Sequence, residues 1–140
     1  MAAGAAAAQP TPLGLWRTFD DATGEAKAEI RIVERPGAGG GAAAALSGRI
    51  ERPLRTFASD VCVPCTDDRK NQPVVGLEVI RGGQPTADGA RWEGGRILDP
   101  ENGKEYRLTL QPTDGGARLR VRGYLGPFFR TQTWVRVAPP

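Results

Sequence analysis

A chain of 140 residues, 39% hydrophobic and 25% charged with a net charge of +3, is long enough for one domain with its own core. It contains no histidine, which excludes Ser-His-Asp and Cys-His catalysis, imidazole zinc sites and any side chain that ordinarily titrates near neutrality. No apolar run approaches the roughly 18 residues of a helical membrane span.

Residues 1–13 are an alanine-rich, uncharged leader containing Pro10 and Pro12. Such small-residue stretches follow the apolar core of secretory signals, so an exported protein, periplasmic or secreted, is expected, with Met1 standing where the signal was removed. The leader is expected to be disordered up to about Leu13. A flexible tail on a cytoplasmic protein is the alternative.

From Gly14 onward, short apolar-polar alternations are separated by turn signals, with no sustained helical period, so the chain reads as all-β. Strands are expected at about 15–19, 26–34, 42–51, 74–81, 90–98, 104–111, 117–124 and 131–137. Ala28, Ile30 and Ile32 alternate with Lys27, Glu29 and Arg31, and Tyr106, Leu108 and Leu110 alternate in the same way. The segment 36–41 breaks the second run. Asn102-Gly103 points to a type I′ hairpin with positive φ at both central residues. The stretch 52–73 is the one long irregular segment, with room for a short helix near 53–59. Eight strands joined mostly by short turns fit a single antiparallel up-and-down barrel over residues 14–138, whose interior is filled by side chains or holds one small ligand.

Cys62-Val63-Pro64-Cys65 lies inside the long loop. A redox centre needs the pair at a helix start within a βαβ context, and zinc needs two further ligands where no other cysteine or histidine exists. A local disulfide is the expected state, with free thiols as the alternative, and an oxidised pair agrees with export. No cofactor or metal is expected. The acidic pairs Asp20-Asp21 and Asp67-Asp68 sit in turn-like sequence, where backbone capping or pairing with arginine accounts for them. Sixteen of the nineteen basic residues are arginine. Arg118, Arg120 and Arg122 alternate with Leu119 and Val121, which places the arginines on an outer, wet face.

Gly14-Leu15-Trp16 on the first strand and Trp134-Val135-Arg136 on the last resemble the closure signature of lipocalin-like, or calycin, barrels. In those barrels a tryptophan plugs one end and an arginine crosses its ring. Together with Gly24, Cys62, Cys65, Pro73, Gly76, the run from Gly94 to Pro100, Gly103, Tyr106 and Val121-Arg122-Gly123-Tyr124, the pattern resembles the DUF2147 family over residues 14–137. The resemblance implies a small exported bacterial barrel and supplies no activity. One departure is the short link 126–129 before the last strand.

The functional expectation is a non-enzymatic barrel that binds a small apolar or amphipathic molecule, or a cell-envelope component, in its mouth or lumen. Trp92, Tyr106, Tyr124, Phe128 and Phe129 are candidate lining residues, and Arg96 or Arg122 would meet an anionic head group. Gly14, Trp16, Trp134 and Arg136 are the candidate closure. The alternative is an interaction module that docks a protein or anionic surface through the arginine stripe and the 52–73 loop. Nucleic acid is not an expected partner, since the outward alternation offers arginine and threonine without aromatics beside them. A monomer is expected.

Overall fold

A computed structural model describes residues 9–36 and 44–140 as nine antiparallel strands. They are β1 (Gly14–Phe19), β2 (Ala26–Arg35), β3 (Ala45–Pro53), β4 (Glu78–Arg81), β5 (Gln84–Pro85), β6 (Trp92–Leu98), β7 (Glu105–Thr113), β8 (Arg118–Leu125) and β9 (Phe128–Ala138). The sheet runs β4-β3-β2-β1-β9-β8-β7-β6-β5, and β4 also pairs with β6, which joins its two ends. The fold is therefore a closed eight-stranded barrel, with β5 a two-residue addition on β6. Closure leaves no long edge open to pairing with another chain.

Period-2 alternation sends one residue set inward on each strand. Trp16, Ala28, Ile30, Ile32, Ile50, Leu108, Leu110, Leu119, Val121 and Trp134 are buried in one core. Small residues fit where the wall is crowded: a Cβ on Gly48 would lie 2.9 Å from the Ile80 side chain.

Several expectations need correction. The 52–73 stretch carries no helix: Arg52 and Pro53 still pair in β3 and the Leu54 N–H donates to the Lys27 carbonyl, which holds the start of the segment extended, and the rest is bends and turns with one isolated bridge, Val61 to Pro73. The strand expected at 74–81 starts at Glu78, since Val74 and Gly76 close a turn onto β3 and the long loop. The β6–β7 hairpin is not type I′: among its turn residues only Gly103 has positive φ, and the Asp99 side chain accepts from the Glu101 N–H instead. The last strand starts at Phe128 instead of 131, because Phe128 and Phe129 already pair with Leu125 and Tyr124 across the Gly126-Pro127 turn. The start of the third strand at 42–43 and most of the 36–41 break lie outside the described residues. So do residues 1–8 of the leader. Its last residues, by contrast, join the barrel: Pro12 is fully buried and its carbonyl accepts from Trp16.

The long loop is fastened to the wall by two arginines. Arg69, 4% exposed, donates to Asp67, to the Glu105 carboxylate of β7 at 2.8 Å and to the Glu78 carbonyl of β4 at 3.0 Å. Arg55 donates to Asp20 at 3.0 Å and Glu101 at 2.8 Å, tying the loop to the β1–β2 and β6–β7 turns. Cys62 and Cys65 form a buried disulfide at the centre of the loop. Hydrogen bonds from Arg69 hold the Asp67 carboxyl at about 2, against an ordinary value of 3.8. A carboxyl depressed by folding contributes stability that is complete above its unfolded value and disappears as pH falls through the folded one. Asp67 is partly exposed, so screening leaves about 1 kcal/mol. Denaturant titrations between pH 5 and pH 2 are expected to show this loss in the native chain and a shallower acid limb in Asp67→Asn.

Candidate functional site

The two ends of the barrel differ. At one end Trp16 is 0% exposed, its Nε1 donates to the Pro12 carbonyl at 2.8 Å, and the Arg136 guanidinium lies 4.2 Å from its ring centroid. Arg136 has no carboxylate partner among the described residues. It donates instead to the carbonyls of Gly116 (2.6 Å), Leu13 (2.8 Å) and Thr11 (3.1 Å). Burial lowers its pKa from the ordinary arginine value, and the carbonyl dipoles and ring face are what make the cation tolerable there. Gly14, at φ +127°, is required by this seal, since a Cβ would collide with the Arg136 guanidinium and the Ala138 carbonyl.

At the other end the lumen opens as a cavity of about 370 Å³. Ala28, Ile30, Ile50, Val79, Ile97 and Val121 line its wall, and Trp134 forms its floor. Polar groups converge on one side: Trp134 Nε1 donates to Gln132 Oε1 (3.0 Å), Gln132 Nε2 donates to Asp21 (2.8 Å), and Arg130 donates to the same carboxylate (3.1 Å). Lys27, Asp99 and Phe57 complete the rim, with Lys27 held 3.4 Å from Glu101 and 5.9 Å from the Phe57 ring centroid. A mostly apolar chamber with a few fixed polar groups at its entrance is suited to binding and orienting a small molecule.

Of the expected lining residues, Tyr106, Phe128 and Phe129 border the cavity and four do not. Trp92 pairs with Leu110 and packs into the core near the closed end. Arg96 points outward because β6 carries a bulge: Trp92 faces Leu110 and Gly95 faces Leu108, so an extra residue reverses the phase between Trp92 and Arg96. Arg122 and Tyr124 follow the phase of Arg118 and Arg120 and also stand on the outer wall. Trp134, expected with the closure, belongs to the lumen floor, while Gly14, Trp16 and Arg136 make the seal. Sequence reasoning missed the aliphatic wall and Phe57. The wall was readable as the inward phase of each strand, whereas nothing in the irregular 52–73 stretch marks Phe57.

The expected arginine stripe is partly neutralised. Arg118 pairs with Asp114 at 3.0 Å, and Arg120 is 3.4 Å from Gln111. The loop's own charges, Arg55 and Arg69, are spent on internal pairs.

The profile of a family described as "Uncharacterized protein conserved in bacteria" matches residues 14–136, a span that begins on Gly14 and ends on Arg136 of the seal. The chain belongs to the DUF2147 family. No curated protein matches it in sequence. Among solved structures, this DUF2147 barrel is similar to protein HP1028 from Helicobacter pylori, described as belonging to the lipocalin family. The TM-score is 0.73 at 14% identity, covering 91% of this chain and 84% of that one. At that identity the likeness establishes the lipocalin-like fold and nothing about the ligand.

Proposed function

We propose that this DUF2147 barrel binds a small apolar or amphipathic molecule in its lumen, without catalysis, and does so outside the cytoplasm. The observation that carries the reading is the asymmetry of the barrel. One end is sealed by Trp16 and Arg136, and the other opens into an apolar chamber of about 370 Å³. That volume lies at the small end of the roughly 300–1,000 Å³ typical of small-molecule sites. The rim of Asp21, Lys27, Arg130 and Gln132 supplies the polar end that an amphipathic ligand needs. The buried disulfide supports an oxidising compartment.

Titration with the apolar fluorophore N-phenyl-1-naphthylamine, followed by its emission and by quenching of Trp134, tests the reading. Saturable one-site binding is expected in the native chain. Ala28→Phe projects a ring into the lumen and is expected to weaken binding at least about tenfold while leaving the melting temperature nearly unchanged, because the space it fills is open. Absence of binding in the native chain, or undiminished binding in Ala28→Phe, would overturn the proposal. Native mass spectrometry of the protein isolated from its own cells would then identify the natural occupant.

A further inference from the structure

The outer wall beside the open mouth carries two features that lumen binding leaves unexplained. The first is an exposed apolar tip. Leu125 (51% exposed), Phe128 (75%) and Phe129 (59%) flank the Gly126-Pro127 turn of the β8–β9 hairpin. Among the described residues, these two phenylalanines are the only aromatics exposed by more than half, and they stand on opposite faces of the first two positions of β9, beside the turn at the mouth. An isolated exposed valine is unremarkable, but a hairpin tip that exposes Leu125 and two phenyl rings is an unfavourable arrangement in water unless something apolar receives it.

The second feature is a row of cations leading to that tip. Strand register puts Arg81, Arg96, Arg107, Tyr124 and Phe129 in one outward-facing row across β4, β6, β7, β8 and β9. Arg122 lies beside the row with its guanidinium 4.5 Å from the Phe129 ring centroid, and Arg107 is 5.2 Å from that of Tyr124. Arg81 is neutralised by Asp68 and Glu78. Among the described residues Arg96, Arg107 and Arg122 have no acidic partner, while Arg130 is paired with Asp21 on the mouth side. Like charges directly opposite each other weaken a sheet, so Arg96 facing Arg107 is a local cost that an anionic partner would relieve.

We propose that the β8–β9 tip inserts into an anionic lipid surface, with Arg96, Arg107 and Arg122 on its phosphates. The charge sign selects an anionic partner, and the bare phenyl rings select one with an apolar interior, which a polyanion such as nucleic acid lacks. Tyr124, amphipathic and tucked behind Phe129 at a centroid distance of 6.0 Å, suits the boundary between the two. Docking in this way brings the cavity mouth to the membrane, because Leu125, Phe128 and Phe129 also border the lumen. An apolar ligand would then enter from the bilayer without crossing water. This last step rests on the lumen-binding reading, whereas docking itself does not.

Co-sedimentation of the full chain with vesicles of phosphatidylglycerol and phosphatidylcholine, against vesicles of phosphatidylcholine alone, provides the test. Binding to the anionic vesicles is expected, falling steeply with salt. Phe128→Ser with Phe129→Ser is expected to reduce it about tenfold or more without lowering the melting temperature, since both side chains are exposed. Each of Arg96→Gln, Arg107→Gln and Arg122→Gln is expected to weaken it roughly fivefold and to flatten the salt dependence. The lumen-filled Ala28→Phe chain is expected to bind vesicles normally, so loss of fluorophore binding and loss of docking are separable results. The proposal is overturned if the native chain ignores anionic vesicles, or if the double serine variant still binds them. Concentration-dependent dimers that this variant abolishes, in a chain that does not bind vesicles, would instead assign the tip to self-association.

Discussion

Trp16→Ala is expected to be the most damaging single side-chain truncation in the barrel, costing roughly 4–5 kcal/mol of a total stability on the order of 5–15 kcal/mol. Three losses coincide. One of the two largest buried rings in the core is replaced by a void, since Trp16 is wholly inaccessible to solvent. The Pro12 carbonyl loses its donor, so the segment leading into β1 loses its anchor. The Arg136 cation then faces a cavity where it had a ring, and a desolvated cation–π contact is worth about 2 kcal/mol. Arg136→Met is expected to approach the same cost by another route, because the carbonyls of Thr11, Leu13 and Gly116 are orphaned together. Denaturant unfolding of the two single variants and the double variant closes a thermodynamic cycle. A coupling energy of about 1–3 kcal/mol is expected, and a value near zero would mean that ring and guanidinium are independent of one another. Fluorophore binding at the opposite mouth is expected to survive in whatever fraction of either variant remains folded.

The seal was legible in the sequence because its members announce themselves locally: a glycine two residues before a tryptophan, and an arginine in the last strand. The eight strands were legible for a similar reason. Runs such as Ala28-Glu29-Ile30-Arg31-Ile32 carry their sidedness in every second residue. What failed was inference that needed either register or distance. The side on which Arg96 stands is not readable locally, because nothing in Trp92-Glu93-Gly94-Gly95-Arg96 fixes where the bulge falls, and one residue of slip exchanges inside for outside. The chemistry of Arg122 and Tyr124 suggests ligand contacts, but the alternation of their own strand turns both outward. The lumen combines aromatics at its mouth and floor, Phe57, Tyr106, Phe128 and Trp134, with a wall in which Ala28, Val79 and Val121 are short enough to leave space between them. The long loop was recognised as unusual, but its fastening was not readable. Arg55 and Arg69 find partners at Asp20, Glu101, Glu105 and Glu78, contacts that no local spacing encodes.

Gly103→Ala is expected to cost about 3 kcal/mol or more, against about 1 kcal/mol for Gly24→Ala, although the two glycines have nearly the same backbone conformation. Gly103 has φ +75° and Gly24 has φ +74°, so the left-handed penalty of adding a side chain is common to both. Their surroundings differ. Nothing lies within 4 Å of a Cβ on Gly24, whereas a Cβ on Gly103 would overlap the backbone carbonyl of Pro64. Pro64 sits between the two bridged cysteines, a short covalent ring with little freedom to retreat. Relief therefore requires the disulfide segment to lift from the β6–β7 turn, which strains the Arg69 bonds to Glu105 and to the Glu78 carbonyl. Thermal unfolding is expected to show a drop of roughly 3 °C for Gly24→Ala and about 10 °C for Gly103→Ala. Reduction separates the steric origin from a general weakening. Opening the Cys62–Cys65 ring frees Pro64 to move, so the gap between the two variants is expected to narrow in reductant. A gap unchanged by reduction would place the cost of Gly103→Ala in the hairpin turn itself rather than in its contact with the disulfide loop.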